Sequence, residues 1–177
     1  MKTYLTYGFY MALGNALLTF ALYFMGFHSE ASKFDTGETI RIPVGLVISI
    51  TCIVLGIKAR RTELPLTEDF GYGRALGTGF KITLFAALFG SVFGYVYFTV
   101  INPNFIEVIV QAQTEKLEAK GMSGEQIERV IGFTRGMMKP AIQTAFSFII
   151  VTFFGTMISL IAAAFLKRPS ADEIVAA

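Results

Sequence analysis

"GFKITLFAALFGSVFGYVYFTVI", Gly79 to Ile101, runs directly into "NPNFIEVIVQAQTEKLEAK", Asn102 to Lys120, and the change between them decides the fold. The first stretch holds one charge, Lys81, close to its start. A helix needs about 20 mostly apolar residues, rising 1.5 Å each, to cross about 30 Å of hydrocarbon. Gly79 to Ile101 meets that length, whereas the stretch after Asn102 is studded with carboxylates and amides. The sequence therefore predicts a membrane span that ends at Asn102-Pro103.

The composition agrees. Of 177 residues, 54% are hydrophobic and only 16% charged, and mean hydropathy is +0.60; soluble domains carry about 25% charged residues. The apolar residues fall in long blocks, which indicates spans instead of a globular core. Three further segments qualify: Tyr7 to Phe27, Ile42 to Ile57 and Ala141 to Leu166. The second is short enough for Arg41 and Lys58 to snorkel at its ends, and the last is long enough to tilt. The first, preceded by Lys2, could be read as a secretory leader, but its apolar run far exceeds the usual length of about 7 to 15 residues, so it is expected to be a retained span. The expected fold is an all-α, four-span membrane domain covering residues 1–177, with spans near 7–27, 42–57, 79–101 and 141–166. The tyrosines fall near the proposed boundaries, Tyr23, Tyr95 and Tyr97 among them, where a phenol suits the headgroup layer.

Lys58, Arg60, Arg61, Arg74 and Lys81 crowd the connection between the second and third spans. Positively charged loops resist translocation, which places that loop and both termini on the cytoplasmic side. The basic residues after the third span, from Lys116 to Lys139, pull the other way. The +2 formal charge forms no basic stripe, and no nucleic-acid partner is expected.

After Ile101 the sequence predicts an amphipathic helical hairpin over residues 102–139. Asn102 followed by Pro103 suits a helix start, with asparagine capping and proline in the first turn. Gly121 suits a left-handed C-terminal cap. "SGEQ", Ser123 to Gln126, has capping-box spacing. In the first arm Phe105, Ile106, Ile109, Val110, Ala112 and Leu117 share a side; in the second Ile127, Val130, Ile131, Thr134, Met137 and Met138 do. Pro140 opens the last span. So short a hairpin cannot hold its own core and must lean on lipid, its own bundle or a partner.

Inside the spans, small and polar residues carry the information. Gly90 and Gly94, with Gly73 and Gly77 before them, have the four-residue spacing of helix-packing faces, within the bundle or between copies. Asn15, Thr19, Thr152, Thr156 and Ser159 are candidate polar contacts; most Ser and Thr hydroxyls return to the preceding turn, whereas Asn15 is expected to face the bundle interior. The apolar blocks contain no Asp, Glu, Arg or His, and proton-coupled transport depends on such groups. His28 is the only histidine, so no zinc-binding pair exists and an interfacial side chain is expected there. Cys52 is the only cysteine, lies mid-span and behaves as a small apolar residue. His28, Glu30, Asp35 and Glu38 share one short loop without a recognisable catalytic spacing. No catalytic residue, cofactor site or metal site is predicted.

"GIKARR", "FGYGRALGTGFKITLFAALFGSVFGYVYFTVINPNFIE", "GMSGEQIE" and "FGTMISLIAAAFLKR", in that order, resemble the bacterial membrane family called domain of unknown function 4199. The resemblance covers nearly the whole chain. It implies a bacterial inner-membrane protein of four spans with an extended loop before the last, and it implies no activity. The expected role is a non-enzymatic subunit or scaffold that binds a membrane-complex partner or a second copy of itself. The alternative is a small oligomeric transport or lipid-handling protein, with Asn15, Thr19, Thr152, Thr156 and Ser159 along a weakly polar path.

Overall fold

The computed structural model describes residues 2–65 and 67–168. These residues form six helices and no strand: α1 (Lys2–Phe24), α2 (Ala31–Glu63), α3 (Tyr72–Val96, continued by a π turn, Tyr97–Ile101), α4 (Phe105–Ala119), α5 (Gly124–Met137) and α6 (Pro140–Leu166). Four of them, α1, α2, α3 with its π turn, and α6, are long and apolar enough to cross a membrane.

The helices depart from the expected spans chiefly in α2, which begins at Ala31 and extends unbroken to Glu63 with Pro43 inside it. Pro43 forgoes one backbone donor without ending the helix. The stretch expected as a loop before residue 42 is thus mostly helix, and it carries Glu38 and Arg41 one turn apart, bonded to each other. The connection from α1 turns on Gly26, at φ +85°, where glycine avoids the penalty on a left-handed backbone.

Packing centres on α3, which lies against α6 and α1. Glycine sets the approach. Gly155 of α6 faces Thr83 of α3, and Gly79 of α3 faces Ser159 of α6, so each small residue receives the other helix's hydroxyl side chain. Thr83 and Ser159 are fully buried, and each hydroxyl bonds back to the carbonyl four residues earlier, Gly79 O at 3.0 Å and Gly155 O at 2.7 Å. The same residues therefore fill space and satisfy their own polar atoms. Gly8 admits the backbone of α3 near Ile82, and Gly56 admits Ile82 and Tyr7. Met11, Ile53, Ile57, Phe70, Ala75, Ile82 and Ala163 form the core between these contacts.

Gly73, Gly77, Gly90 and Gly94 do not serve as packing positions within the chain. Among the described residues nothing lies within 4 Å of a Cβ placed at the first three, and Gly94 meets only Phe98. Glycine spacing marks where a helix can be approached, and the facing element decides whether it is. Here Gly90 and Gly94 line a cavity, and Gly73 and Gly77 line a second hollow at the opposite end of the bundle.

That opposite end gathers the basic residues. Arg61 donates to Leu166 O, Arg168 donates to Pro65 O and Glu68 O, and Lys81 and Arg60 lie over the Tyr4 ring. α4 and α5 stand at the other end. α4 buries Phe105, Ile109 and Ala112 and is tied to α2 by Lys116 and Asp35. Arg135 of α5 pairs with Glu107 of α4, and Thr134 donates to Gln113. Gly121, at φ +74°, ends α4, and Ser123 with Gln126 forms the expected capping box of α5. The start of α4 differs from expectation. Asn104 precedes its first residue, Phe105, and Asn102 is in a non-helical conformation with its side chain engaged elsewhere.

Gly155→Val would insert a branched side chain where Thr83 already sits, and overpacking of this kind costs about 1–3 kcal/mol. Thermal unfolding in mild detergent, read by size-exclusion chromatography, is expected to show a lower melting temperature for Gly155→Val. Gly73→Ala, which meets nothing, is expected to leave it unchanged or slightly raised.

Candidate functional site

At the end of the bundle that α4 covers, three segments distant in sequence place polar groups together. The turn after α1 supplies His28, the first turns of α2 supply Glu38 and Arg41, and the end of α3 supplies Tyr97 and Asn102. The π turn sets the last pair. Its widened ring, closed by Asn102 N–H to Tyr97 O at 2.8 Å, brings Asn102 back toward the residue that starts the turn.

His28, Tyr97 and Asn102 are respectively 1%, 3% and 4% exposed. The expectation that His28 and Tyr97 sit at a wet interface is thus corrected: Phe34 and Phe105 lie against His28, at 5.1 Å between the His28 and Phe105 rings, and Phe98 and Phe105 lie against Tyr97. Sequence spacing could not reveal this, because burial here comes from α4 folding back over the site.

The bonds form a directed chain. Asn102 Nδ2 donates to His28 O at 2.9 Å and to Tyr97 Oη at 3.2 Å. The Tyr97 hydroxyl and His28 Nδ1 lie 2.8 Å apart, and with the hydroxyl as donor in that bond Nε2 carries the imidazole proton. Nε2 has no hydrogen-bond partner among the described residues. Glu38 Oε1 is 3.7 Å away, beyond hydrogen-bonding range, and both Glu38 oxygens accept from Arg41 at 2.7 Å. Burial lowers the His28 pKa; Glu38 acts against that shift and Arg41 with it. The site thus holds a neutral imidazole beside a self-neutralised ion pair.

His28, Glu38, Arg41 and Tyr97 border a cavity of about 470 Å³ between α1, α2, α3 and α6. Asn15, Thr19, Ser49, Ser91, Gly90 and Gly94 line it, as do Met11, Ala86 and Ile158. Asn15 lines the cavity, with its amide nitrogen donating to Met11 O of its own helix at 2.9 Å and its oxygen against Gly45. Thr19 bonds to Asn15 O at 3.0 Å. Thr152, Thr156 and Ser159 do not line the cavity and bond within α6, to Phe148 O, Thr152 O and Gly155 O. Within one chain, then, the five residues do not line a common cavity. Sequence reasoning missed Glu38, Arg41, Tyr97 and Asn102 as a group; the i, i+3 spacing of Glu38 and Arg41 was the available signal. Among the described residues no three His, Cys, Asp or Glu side chains come together in a way that could hold a metal.

The family model described as "Protein of unknown function (DUF4199)" matches residues 6–168. No curated protein and no solved structure matches the chain.

Because His28 resists protonation when folded and not when unfolded, lowering the pH favours unfolding. This contribution to stability is complete above the ordinary value of 6.5 and is lost as pH falls from there toward the lowered folded value. Melting measured between about pH 7.5 and about pH 5 is expected to show a decline that His28→Gln flattens, since glutamine does not titrate in that range. An equal decline in both proteins would assign it to other groups.

Proposed function

Because the chain belongs to the family described as protein of unknown function, DUF4199, a kinship that carries no activity with it, we propose that it is a non-enzymatic inner-membrane protein acting through binding. It works as a subunit or scaffold of a membrane complex, with four spans, both termini cytoplasmic, and α4 and α5 forming an amphipathic hairpin at the outer end. The observation that carries this reading is the uncovered apolar face of α5. Phe133 is 72% exposed, and Val130 and Met137 are also exposed on the same helix. Two polar pairs meanwhile join α4 to α5, Glu107 with Arg135 and Gln113 with Thr134. A large exposed aromatic beside a membrane boundary is a contact surface for protein or lipid. The membrane placement is supported by outward-facing Leu17, Val47, Leu88, Ile149 and Phe153, for which lipid is the matching solvent.

Affinity purification of the tagged chain from its native membrane in mild detergent is expected to retain a larger complex on native gels. Phe133→Glu is expected to release the chain from it while leaving melting unchanged. A monomer with no co-purifying protein, for both forms, would refute the subunit reading.

A second reading, a small lipid-handling protein, is favoured by one observation: the cavity of about 470 Å³ inside the bundle, within the range of about 300–1,000 Å³ found for ligand sites.

A further inference from the structure

The cavity and the polar cluster at its end have complementary chemistry. Most of the lining is apolar, from Met11 and Ala86 to Ile158, and a void of that kind holds water poorly. His28 and Ser91 are among its lining residues, and each has a buried polar atom, Nε2 and Oγ, without a partner among the described residues. Buried polar groups are otherwise almost always bonded, so each marks the place of a missing partner. The occupant therefore needs a long apolar part and a small polar end.

The route in is also visible. Leu46 of α2 and Ile150 and Phe154 of α6 line the cavity and are themselves exposed, which points to a mouth opening sideways between these two helices, where lipid chains would lie. Gly90 supplies the depth, since nothing among the described residues lies within 4 Å of a Cβ there. The volume accommodates one alkyl chain with a compact head.

Charge selects the head. Arg41 and Glu38 hold each other at 2.7 Å through two bonds and cancel. An anionic head accepting from His28 Nε2 would meet the Glu38 carboxylate, whose oxygen lies only 3.7 Å from that nitrogen. A cationic head would meet Arg41 and lack an acceptor at His28. An uncharged hydroxyl or carbonyl suits both neighbours, accepting from Nε2–H and, as a hydroxyl, donating to Glu38.

Resting on the lipid-handling reading, we infer that the cavity binds a single-chain lipid with an uncharged, hydroxyl- or carbonyl-bearing head. The head lies beside His28 and Glu38, within reach of both, and the chain runs past Gly90.

The test uses the purified full chain in detergent, stripped of lipid, with radiolabelled monoolein, oleate and oleylamine as probes in equilibrium binding. Monoolein is expected to bind saturably and at least about tenfold more tightly than the other two, a margin of 1.4 kcal/mol. Gly90→Leu, which adds a side chain where there is space, is expected to weaken monoolein binding at least about tenfold without lowering the melting temperature. Glu38→Gln removes the repelling carboxylate and frees Arg41, so oleate is expected to gain at least about tenfold relative to monoolein. No saturable binding of any probe overturns the lipid-handling reading together with the site. Equal binding of monoolein and oleate overturns the head assignment alone. Undiminished binding by a folded Gly90→Leu protein overturns the location, and should that variant not fold, an unaltered probe preference in Glu38→Gln does so.

Discussion

Gly155 and Gly79 let α6 and α3 approach until Thr83 and Ser159 occupy the space that each glycine leaves. Where lipid replaces water, burying apolar surface no longer drives helices together, and close packing must supply the attraction. The paired small residues provide it at two successive turns of one interface. α1 then docks on α3 through Gly8, and α2 reaches the core through Gly56. Because Thr83 and Ser159 satisfy their hydroxyls within their own helices, the contact leaves no polar atom waiting for a partner.

The same chemistry leaves a hollow where no facing element fills the groove. Gly90 and Gly94 continue the small-residue face of α3 toward its C-terminal end, yet α6 does not close on them as it does at Gly79, and α1 and α2 bound the remaining space. α4 covers the end of that space with Phe105 and Ile109. The ionisable residues near the cavity stand at this covered end, where Glu38 and Arg41 are half-buried and compensate each other, so that no isolated charge is taken deep into the bundle.

The four long helices were legible from apolar block length alone, because the distance across hydrocarbon is a fixed physical requirement. So were the Gly121 turn and the Ser123 capping box, which depend on local backbone geometry. The start of α2 was not: Pro43 and the charges from Lys33 to Arg41 resemble a loop in sequence, although their bonds run one turn apart along a helix. Glycine spacing identified a smooth helix face without identifying its neighbour, and of the two places expected for Gly90, inside the bundle or between copies, the first is a cavity within this chain. The candidate site was largely illegible. His28, Glu38, Tyr97 and Asn102 meet only through the turn at Gly26 and the widened turn after Val96, and no periodicity in the chain encodes either pairing.

The π turn at Tyr97–Ile101 amounts to one surplus residue in an otherwise ordinary helix. Removing one codon there would restore regular winding and swing Asn102 around the helix axis, away from His28, while every contact between α3 and α6 below it stayed in register. The scaffold and its polar chamber are therefore separable by the smallest possible change in gene length. The polar cluster at the cavity's end thus hangs on a residue that the four-helix body does not need.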